Sequence, residues 1–528
     1  MTQTILIADK IADDGIEYLK SFPEFAVQLK TGMSEAELCD AVRDCTALVV
    51  RSASTVSARV IESAPHLSVI GRAGIGVDNI DIEAATERGI VVLNTPDANA
   101  TTTAELTIAH LLSLSRNLPA ADQSVREGRW ERNVLTGVEV AGKTLGIIGY
   151  GTIGRLVAKR AKALEMIIVV HDPYVTNDII EADGGRAVDL ESLLAESDYV
   201  TLHAPVTPQT RSMIGARQFG MMKRGARFIN CARGALVDED ALIAALESGH
   251  LAGAAVDVYA HEPPEGSRLL TLSNVVFTPH LGASTREAQV AAGMQIATQI
   301  ATFLRTGEAI NAVNVSPVSR EQLAKLKPFQ TLARALGRLL TTLAPAALNR
   351  VEITLAGGPS GIDVSHVATE TLIGILAGHH RGPVNQVNAA YLAKRQGLAV
   401  VESRAAESSD YHTLLQVTGR TAEGELSVAG TLFDERYPRL VRIDDLDIEA
   451  ILEGHLLISR HRDQPGVVAG LSNAIADANI NITRMHLGPV GDQGLAVAVI
   501  GLDQPLPTSA RDTILALETV IAIHEIDL

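Results

Sequence analysis

Cysteine is scarce in this 528-residue chain: only Cys39, Cys45 and Cys231 occur, and no two of them form a CxxC pair. That excludes a disulfide framework and a cysteine-built zinc site, and no metal is expected. Aromatic residues make up 3% of the chain, with one tryptophan, too few for a base-stacking platform. Bases are outnumbered, 45 Lys and Arg against 62 Asp and Glu, for a formal charge of -17. Such an excess of acid argues against a nucleic-acid or membrane-surface partner. No uninterrupted run approaches the ~20 apolar residues that span a bilayer. The opening MTQTILIADK is also too short in apolar residues for a signal peptide. A cytoplasmic location with free thiols is expected.

What is present is an ordinary globular composition, 46% hydrophobic and 20% charged. The chain is too long for one core, because domains run about 100–200 residues, so three or four are expected. Short apolar runs at 4–9, 47–52, 67–74 and 90–95 read as buried strands, with helices at 12–21 and 34–43, a small parallel α/β unit. After a long helix over 101–116 comes a cleaner alternation. Strands fit 144–149, 166–172, 199–205, 226–230, 253–259 and 274–280, and helices fit 153–164, 189–196, 216–223 and 239–248. That pattern predicts a doubly wound sheet of Rossmann type. A helix over 285–304 leads back to the first unit, which is thus built from both ends of this region. A linker is expected around 317–328, then a mixed α/β region over 320–452 with Gly-rich turns such as 357–361. The last segment reads strand, helix, strand, strand, helix, strand, a βαββαβ ferredoxin-like unit. Its helix over 465–478 is expected to bury Val467, Val468, Leu471 and Ile475.

Gly149-Tyr150-Gly151-Thr152-Ile153-Gly154 directly follows a strand and opens a helix. Gly149 permits the tight turn, Gly151 lets a pyrophosphate approach the backbone, and Gly154 allows close helix–strand packing. The helix N-terminus adds free N–H groups for the phosphates. Asp172 ends the next strand, roughly 20 residues on, where a carboxylate accepts from ribose hydroxyls and repels a 2′-phosphate. NAD is therefore expected over NADP. Gly74-Ile75-Gly76 also follows a strand, but Asn79 stands in place of the third glycine. We read that loop as a backbone amide cradle for substrate.

Ligands of open α/β sheets bind beyond the carboxyl ends of the strands. Arg233, Glu262 and His280 stand at or just after such ends. Oxidising an alcohol removes the hydroxyl proton as hydride leaves the same carbon, and histidine titrates in the range to take that proton. A carboxylate on the other ring nitrogen fixes the tautomer, and an arginine grips a substrate carboxylate two-pronged. The expected roles are His280 as acid/base, Glu262 as its partner, and Arg233 as substrate anchor.

The stretches RAGIGVDN (72–79), WER (130–132), NCARG (230–234), DVYAHEPP (257–264) and TPHLGAST (278–285) resemble the D-isomer-specific 2-hydroxyacid dehydrogenases. Within that family the chain is similar to long-form members that oxidise 3-phosphoglycerate to 3-phosphohydroxypyruvate, the first step of L-serine synthesis. The resemblance implies a flavodoxin-like substrate domain (1–98 and 285–318), a Rossmann domain (99–284), an α+β intervening domain (319–453) and an ACT regulatory domain (454–528). It implies cofactor contacts at Ile75, Thr152, Ile153, Asp172, Cys231, Asp257 and Ala283. The family carries small or hydroxylated residues where Ile75 and Ala204 stand, so no side-chain hydrogen bond is expected there. Substrate contacts are implied for Arg51, Ser52, Gly74 and Asn99, with Arg51 and Arg72 supplying charge for a phosphate. Arg132 is a further candidate, reaching in from a neighbouring subunit. In the ACT-like segment, His461, Asp463 and Asn481 are implied to meet L-serine across a subunit interface. A homo-oligomer, a tetramer, is implied. The competing readings are another 2-hydroxyacid dehydrogenase, acting on 2-hydroxyglutarate or glycerate, and a NAD-sensing binding protein on the same fold.

Overall fold

The structure is a computed structural model that describes residues 2–315, 320–357, 363–378, 380, 382–405, 411–488 and 494–528. Its first sheet contains β1 (Gln3–Ile7), β2 (Phe25–Leu29), β3 (Ala47–Val50), β4 (Val69–Arg72) and β5 (Val91–Leu93) in the order β2-β1-β3-β4-β5. All pairings are parallel. Helices cover both faces, so successive residues of a strand are buried on opposite sides. Ile5, Ile7 and Val49 pack with Ile296 and Ile300 on one face. Leu6, Leu48 and Val50 pack with Leu38 and Val60 on the other. Each such aliphatic contributes about 1.5–3 kcal/mol by leaving water. The sequence pattern does not predict β2, an edge strand whose outer residues Gln28 and Leu29 are exposed. The remaining strands are shorter than their apolar runs, because those runs continue into the loops beyond the sheet.

The second sheet contains β6 (Thr144–Ile148), β7 (Ile167–His171), β8 (Arg186–Ala187), β9 (Tyr199–Leu202), β10 (Arg227–Asn230), β11 (Gly253–Val256) and β12 (Val275–Phe277). Its order, β12-β11-β10-β9-β6-β7-β8, reverses direction between β6 and β9, the crevice where doubly wound folds take a dinucleotide. The two-residue β8 carries no periodic signal and was not expected. Helices Ala100–Arg116 and Arg286–Thr306 carry the chain out to this sheet and back, and Thr102 Oγ1 lies 3.1 Å from Thr285 Oγ1 where they meet. The returning helix lies against Asp13–Lys20 so closely that a Cβ on Gly15 would sit 2.5 Å from the Gly293 carbonyl oxygen. Beyond it, Ala312 bridges to Leu93, and Asn314 bonds to the Val92 amide and the Ile90 carbonyl. Both ends of this region thus complete the first sheet.

Helix Arg320–Leu343 starts inside the stretch expected to be a linker and runs through Pro328. Leu326, Phe329, Leu332 and Leu336 recur at helical spacing and are buried, which outweighs the roughly 3 kcal/mol an interior proline costs. The third sheet contains β13 (Arg350–Gly357), β14 (Ala399–Ala405), β15 (Thr413–Arg420), β16 (Glu425–Phe433), β17 (Tyr437–Ile443) and β18 (Leu446–Ile451) in the order β14-β13-β15-β16-β17-β18. Of the Gly-rich turn expected at 357–361, all but Gly357 lies outside the described residues, as do 317–319 of the expected linker.

The fourth sheet, β19 (His455–Arg462), β20 (Ile482–Leu487), β21 (Leu495–Leu502) and β22 (Val520–Asp527), has the ferredoxin-like order β20-β21-β19-β22. Leu457, Ala498 and Ile500 face its two helices. Leu456, Ile458, Val497, Val499 and Ile526 point the other way, into one continuous core with helix Arg320–Leu343 and the third sheet. On helix Val467–Asp477 the buried residues are Val467, Leu471, Ala474 and Ile475; Val468, expected inside, is exposed because it lies at the edge of that stripe.

The third-sheet region also docks onto the first. Asn385 Nδ2 donates to the Gly89 carbonyl, Asn388 Nδ2 to that of Glu87, and Arg395 pairs with Glu87. Val387 inserts into the core that contains Ile5 and Ile296.

Candidate active site

The glycine turn meets each geometric demand of a dinucleotide site. Gly149 has φ +94°, and a Cβ there would lie 2.6 Å from the His203 carbonyl. A Cβ on Gly154 would lie 2.2 Å from the Gly149 carbonyl oxygen, so only glycine lets the helix approach β6. A Cβ on Gly151 meets nothing within 4 Å, which leaves the open side a pyrophosphate requires. Thr152 and Ile153 form the first turn of helix Thr152–Ala163. Asp172 Oδ2 accepts from the Tyr150 amide at 2.6 Å, and Oδ1 from the Tyr174 and Val175 amides. The carboxylate therefore also clamps the glycine turn to the end of β7, with lone pairs left for ribose hydroxyls. Burial pushes the Cys231 thiol up to about 12, so it remains neutral just past the end of β10. Ala204, just past β9, and Ala283, in the loop before helix Arg286–Thr306, are half-buried.

Asn230, Val256 and Phe277 share one register row across β10, β11 and β12. Arg233, Glu262 and His280 lie a few residues beyond that row, on three adjacent loops. His280 Nδ1 is 2.7 Å from Glu262 Oε2, and Glu262 Oε1 accepts from the Tyr259 amide. His280 has φ +53°, uncommon for a side-chain-bearing residue. Its amide holds it there by donating to the Asp257 and Thr278 carbonyls. Asp257 is fully buried, and its carboxylate accepts from Thr278 Oγ1, Leu281 N and Gly282 N at 2.6, 2.7 and 2.9 Å. Gly234, next to Arg233, packs directly on the Tyr259 carbonyl, so the arginine loop and the Glu262 loop touch.

Arg233 reaches across to the first sheet. Its Nε donates to Asp78 Oδ2 at 2.9 Å, and its guanidinium occupies the space a Cβ on Gly76 would need. Burial would raise the Asp78 carboxyl, but the Arg233 charge and hydrogen bond hold it below the usual carboxylate range. Arg72 lies over Gly74 in the same way. Burial, then the charge of Arg233, push Arg72 down to about 10, with Arg51 adding to the effect. The guanidiniums of Arg72 and Arg233 thus converge on the Gly74–Gly76 loop, and that of Arg51 stands on the neighbouring loop after β3, donating to the Lys10 carbonyl. Arg72 Nε, Thr95 Oγ1 and Asn99 Oδ1 are buried with no partner. Thr95 N donates to the Gly74 carbonyl and Asn94 Nδ2 to that of Ile75, which gathers these groups around one loop.

Two residues essential to this geometry have no role in the sequence reading. Asp9 accepts from the Arg51 and Ser54 amides and the Ser54 hydroxyl, and so shapes the loop bearing Arg51 and exposed Ser52. Asp78 pairs with Arg233 and sits inside the quoted RAGIGVDN, where its charge was the available signal. Arg132 lies apart, on an exposed arm around a cavity of about 590 Å³ that Arg116, Trp130 and Leu135 also line.

His461, Asp463 and Asn481 do not meet within one chain. His461 is buried, pairs with Ala496 near the start of β21, and is pushed down by burial. Asp463 N donates to Gly494 just before that strand, whereas Asn481 bonds to Asp503 just past its other end. A strand of this length spans roughly 25 Å.

Residues 108–282 match the family described as D-isomer specific 2-hydroxyacid dehydrogenase, NAD binding domain, which sets the class of the catalytic half. A crystal structure of the TT0316 protein from Thermus thermophilus superposes with a TM-score of 0.55 and 36% identity, covering 59% of this chain and 100% of that one. D-lactate dehydrogenase from Aquifex aeolicus, solved with NAD and lactic acid, superposes at 0.55 with 25% identity, covering 60% and 100%. Residues 325–444 match the D-3-phosphoglycerate dehydrogenase intervening domain, and 455–519 the ACT domain. D-3-phosphoglycerate dehydrogenase of Methanocaldococcus jannaschii is 40% identical over 99% of both chains. The chain belongs to the D-3-phosphoglycerate dehydrogenase family.

Proposed function

We propose that this chain oxidises 3-phosphoglycerate to 3-phosphohydroxypyruvate with NAD, the first step of L-serine biosynthesis. The observation that carries the reading is Arg72 and Arg233 over one loop, with Arg51 on the adjoining loop that Asn79 ties to it, more positive charge than a plain 2-hydroxyacid needs. NAD, held on the Gly149–Gly154 turn with Asp172 at the ribose, supplies the hydride acceptor. His280 takes the proton from the substrate hydroxyl, and Glu262 on Nδ1 leaves Nε2 as the working nitrogen and stabilises the imidazolium. Arg233 grips the substrate carboxylate and polarises the oxygen on the reacting carbon. Arg51 and Arg72 meet the phosphate, and Ser52, the Gly74 amide and Asn99 orient the rest. Ile75, Cys231, Asp257 and Ala283 line the cofactor crevice.

The test is NADH formation at alkaline pH from 3-phosphoglycerate, with glycerate and 2-hydroxyglutarate as competitors. Equal turnover of the phosphate-free acids would remove the arginine cluster from specificity, and no turnover of any acid would favour a binding protein.

The same reading includes the domain division 1–98 with 285–318, 99–284, 319–453 and 454–528, supported by the four separate sheets. It also includes a cytoplasmic homo-tetramer. Trp130 and Val134 are 78% and 80% exposed on the arm that bears Arg132, an apolar surface suited to a second copy. Pairing of two fourth sheets is what can bring Asn481 of one chain to His461 and Asp463 of another, the arrangement an L-serine site requires. Light scattering with and without L-serine, alongside turnover, tests both points: a monomer indifferent to L-serine would overturn them.

A further inference from the structure

Behind the His280 loop, His110 and Thr278 extend the buried polar network of Asp257, and the reaction described above assigns these two no role. His110 sits on helix Ala100–Arg116 and is 3% exposed, among the apolar neighbours Leu111 and Leu114. Its Nε2 is 3.0 Å from Thr278 Oγ1, which is 2.6 Å from Asp257 Oδ1. A threonine hydroxyl has one hydrogen, and at 2.6 Å the carboxylate takes it. Oγ1 is therefore an acceptor toward His110, whose Nε2 must carry hydrogen. Burial pushes the His110 imidazole down against a smaller upward pull from Asp257, so the ring stays neutral.

Asp257 needs such support. Its carboxylate is fully buried, and the hydrogen bonds that hold it come from one hydroxyl and two amides. Those amides belong to Leu281 and Gly282, immediately after His280, whose own amide donates to the Asp257 carbonyl. A donor behind Thr278 polarises its hydroxyl and strengthens the bond to Asp257. We propose that His110 is a positioning residue for the dehydrogenase reaction: through Thr278 it fixes the Asp257 carboxylate, and through Asp257 the loop that aims His280. The proposal rests on the reading of His280 as the acid/base.

The experiment compares His110→Leu, which removes the donor, with His110→Gln, whose Nε2 lies the same number of bonds from Cβ. The expected result is a kcat about tenfold lower in His110→Leu, the scale of one lost hydrogen bond to a charged network, with KM for 3-phosphoglycerate changed by less than about twofold. His110→Gln should return kcat to within about twofold of the parent. Equal kcat in His110→Leu and parent overturns the proposal, as does a His110→Gln as slow as His110→Leu at equal folded fraction, which would mean packing alone. If His110→Leu does not fold, Thr278→Val with Thr278→Ser as its rescue reads the same link. A parent that forms no NADH from 3-phosphoglycerate sinks the reaction reading instead, so the two failures are distinguishable.

Discussion

Two of the seams between sheets are built differently. Between the first and second sheets the facing groups are charged or polar: Arg72, Asp78, Arg233 and Asn99, several with atoms that lack partners. Between the third and fourth sheets Leu456, Ile458, Val497 and Val499 merge into a single core, and the polar groups there, Arg460 paired with Asp444 and the half-buried His486, are few beside it. A seam that has already excluded water gains nothing by opening. The comparison teaches that the catalytic half keeps charged groups at the joint between its sheets, whereas the C-terminal half joins its sheets through a shared apolar core.

Substitutions on either side sharpen that contrast. His280→Ala, in the polar seam, should lower kcat by roughly 10²-fold or more, the usual scale for a positioned acid–base group, with little change in Tm because the side chain is half-exposed. Near-normal turnover would remove His280 from the mechanism. Ile458→Ala, in the apolar seam, should do the reverse: a cost of about 2–4 kcal/mol to the C-terminal half with kcat nearly intact. Calorimetry should show the third and fourth sheets unfolding in one transition, and a separate, lower transition for the fourth sheet alone would break the comparison. Asp172→Gly should shift the NAD to NADP preference by roughly tenfold or more, since it removes a like charge from the 2′-phosphate position. It should weaken both cofactors too, because the Tyr150 amide loses its acceptor. An unchanged ratio would mean another group reads the ribose.

The smallest effect concerns pH. His486 and His524 face the apolar seam, and both are pushed down by burial, with Arg484 and Arg439 adding to the effect at His486 and Arg460 at His524. A histidine whose folded value is lowered binds its proton later in the folded state than in the unfolded one. Below the ordinary value of 6.5 the unfolded chain takes up protons first, so stability is lost as pH falls. Denaturant unfolding of the C-terminal half should show this slope, and His486→Gln should flatten it; an unchanged slope would place the sensitivity elsewhere.

Much of the fold was legible because its causes are local. The three glycines of the cofactor turn each answer a backbone demand within a few residues, and buried parallel strands advertise themselves as apolar runs. What was not legible depends on distant partners. Asp9 acts on residues 51–54, Asp78 on Arg233 and His110 on Thr278, and nothing beside them in the chain signals those pairs. Glu262 and His280 were placed together from chemistry, and their hydrogen bond follows from adjacent strand ends. The helix through Pro328 was hidden because a local breaker was overridden by tertiary burial.

The insertion of Val387 among Ile5 and Ile296, flanked by Asn385 and Asn388, tethers the C-terminal half to the substrate lobe. The lobe that carries Arg51 and Arg72 is therefore anchored to that half by side-chain packing as well as by the chain itself, so a load on either is borne by both.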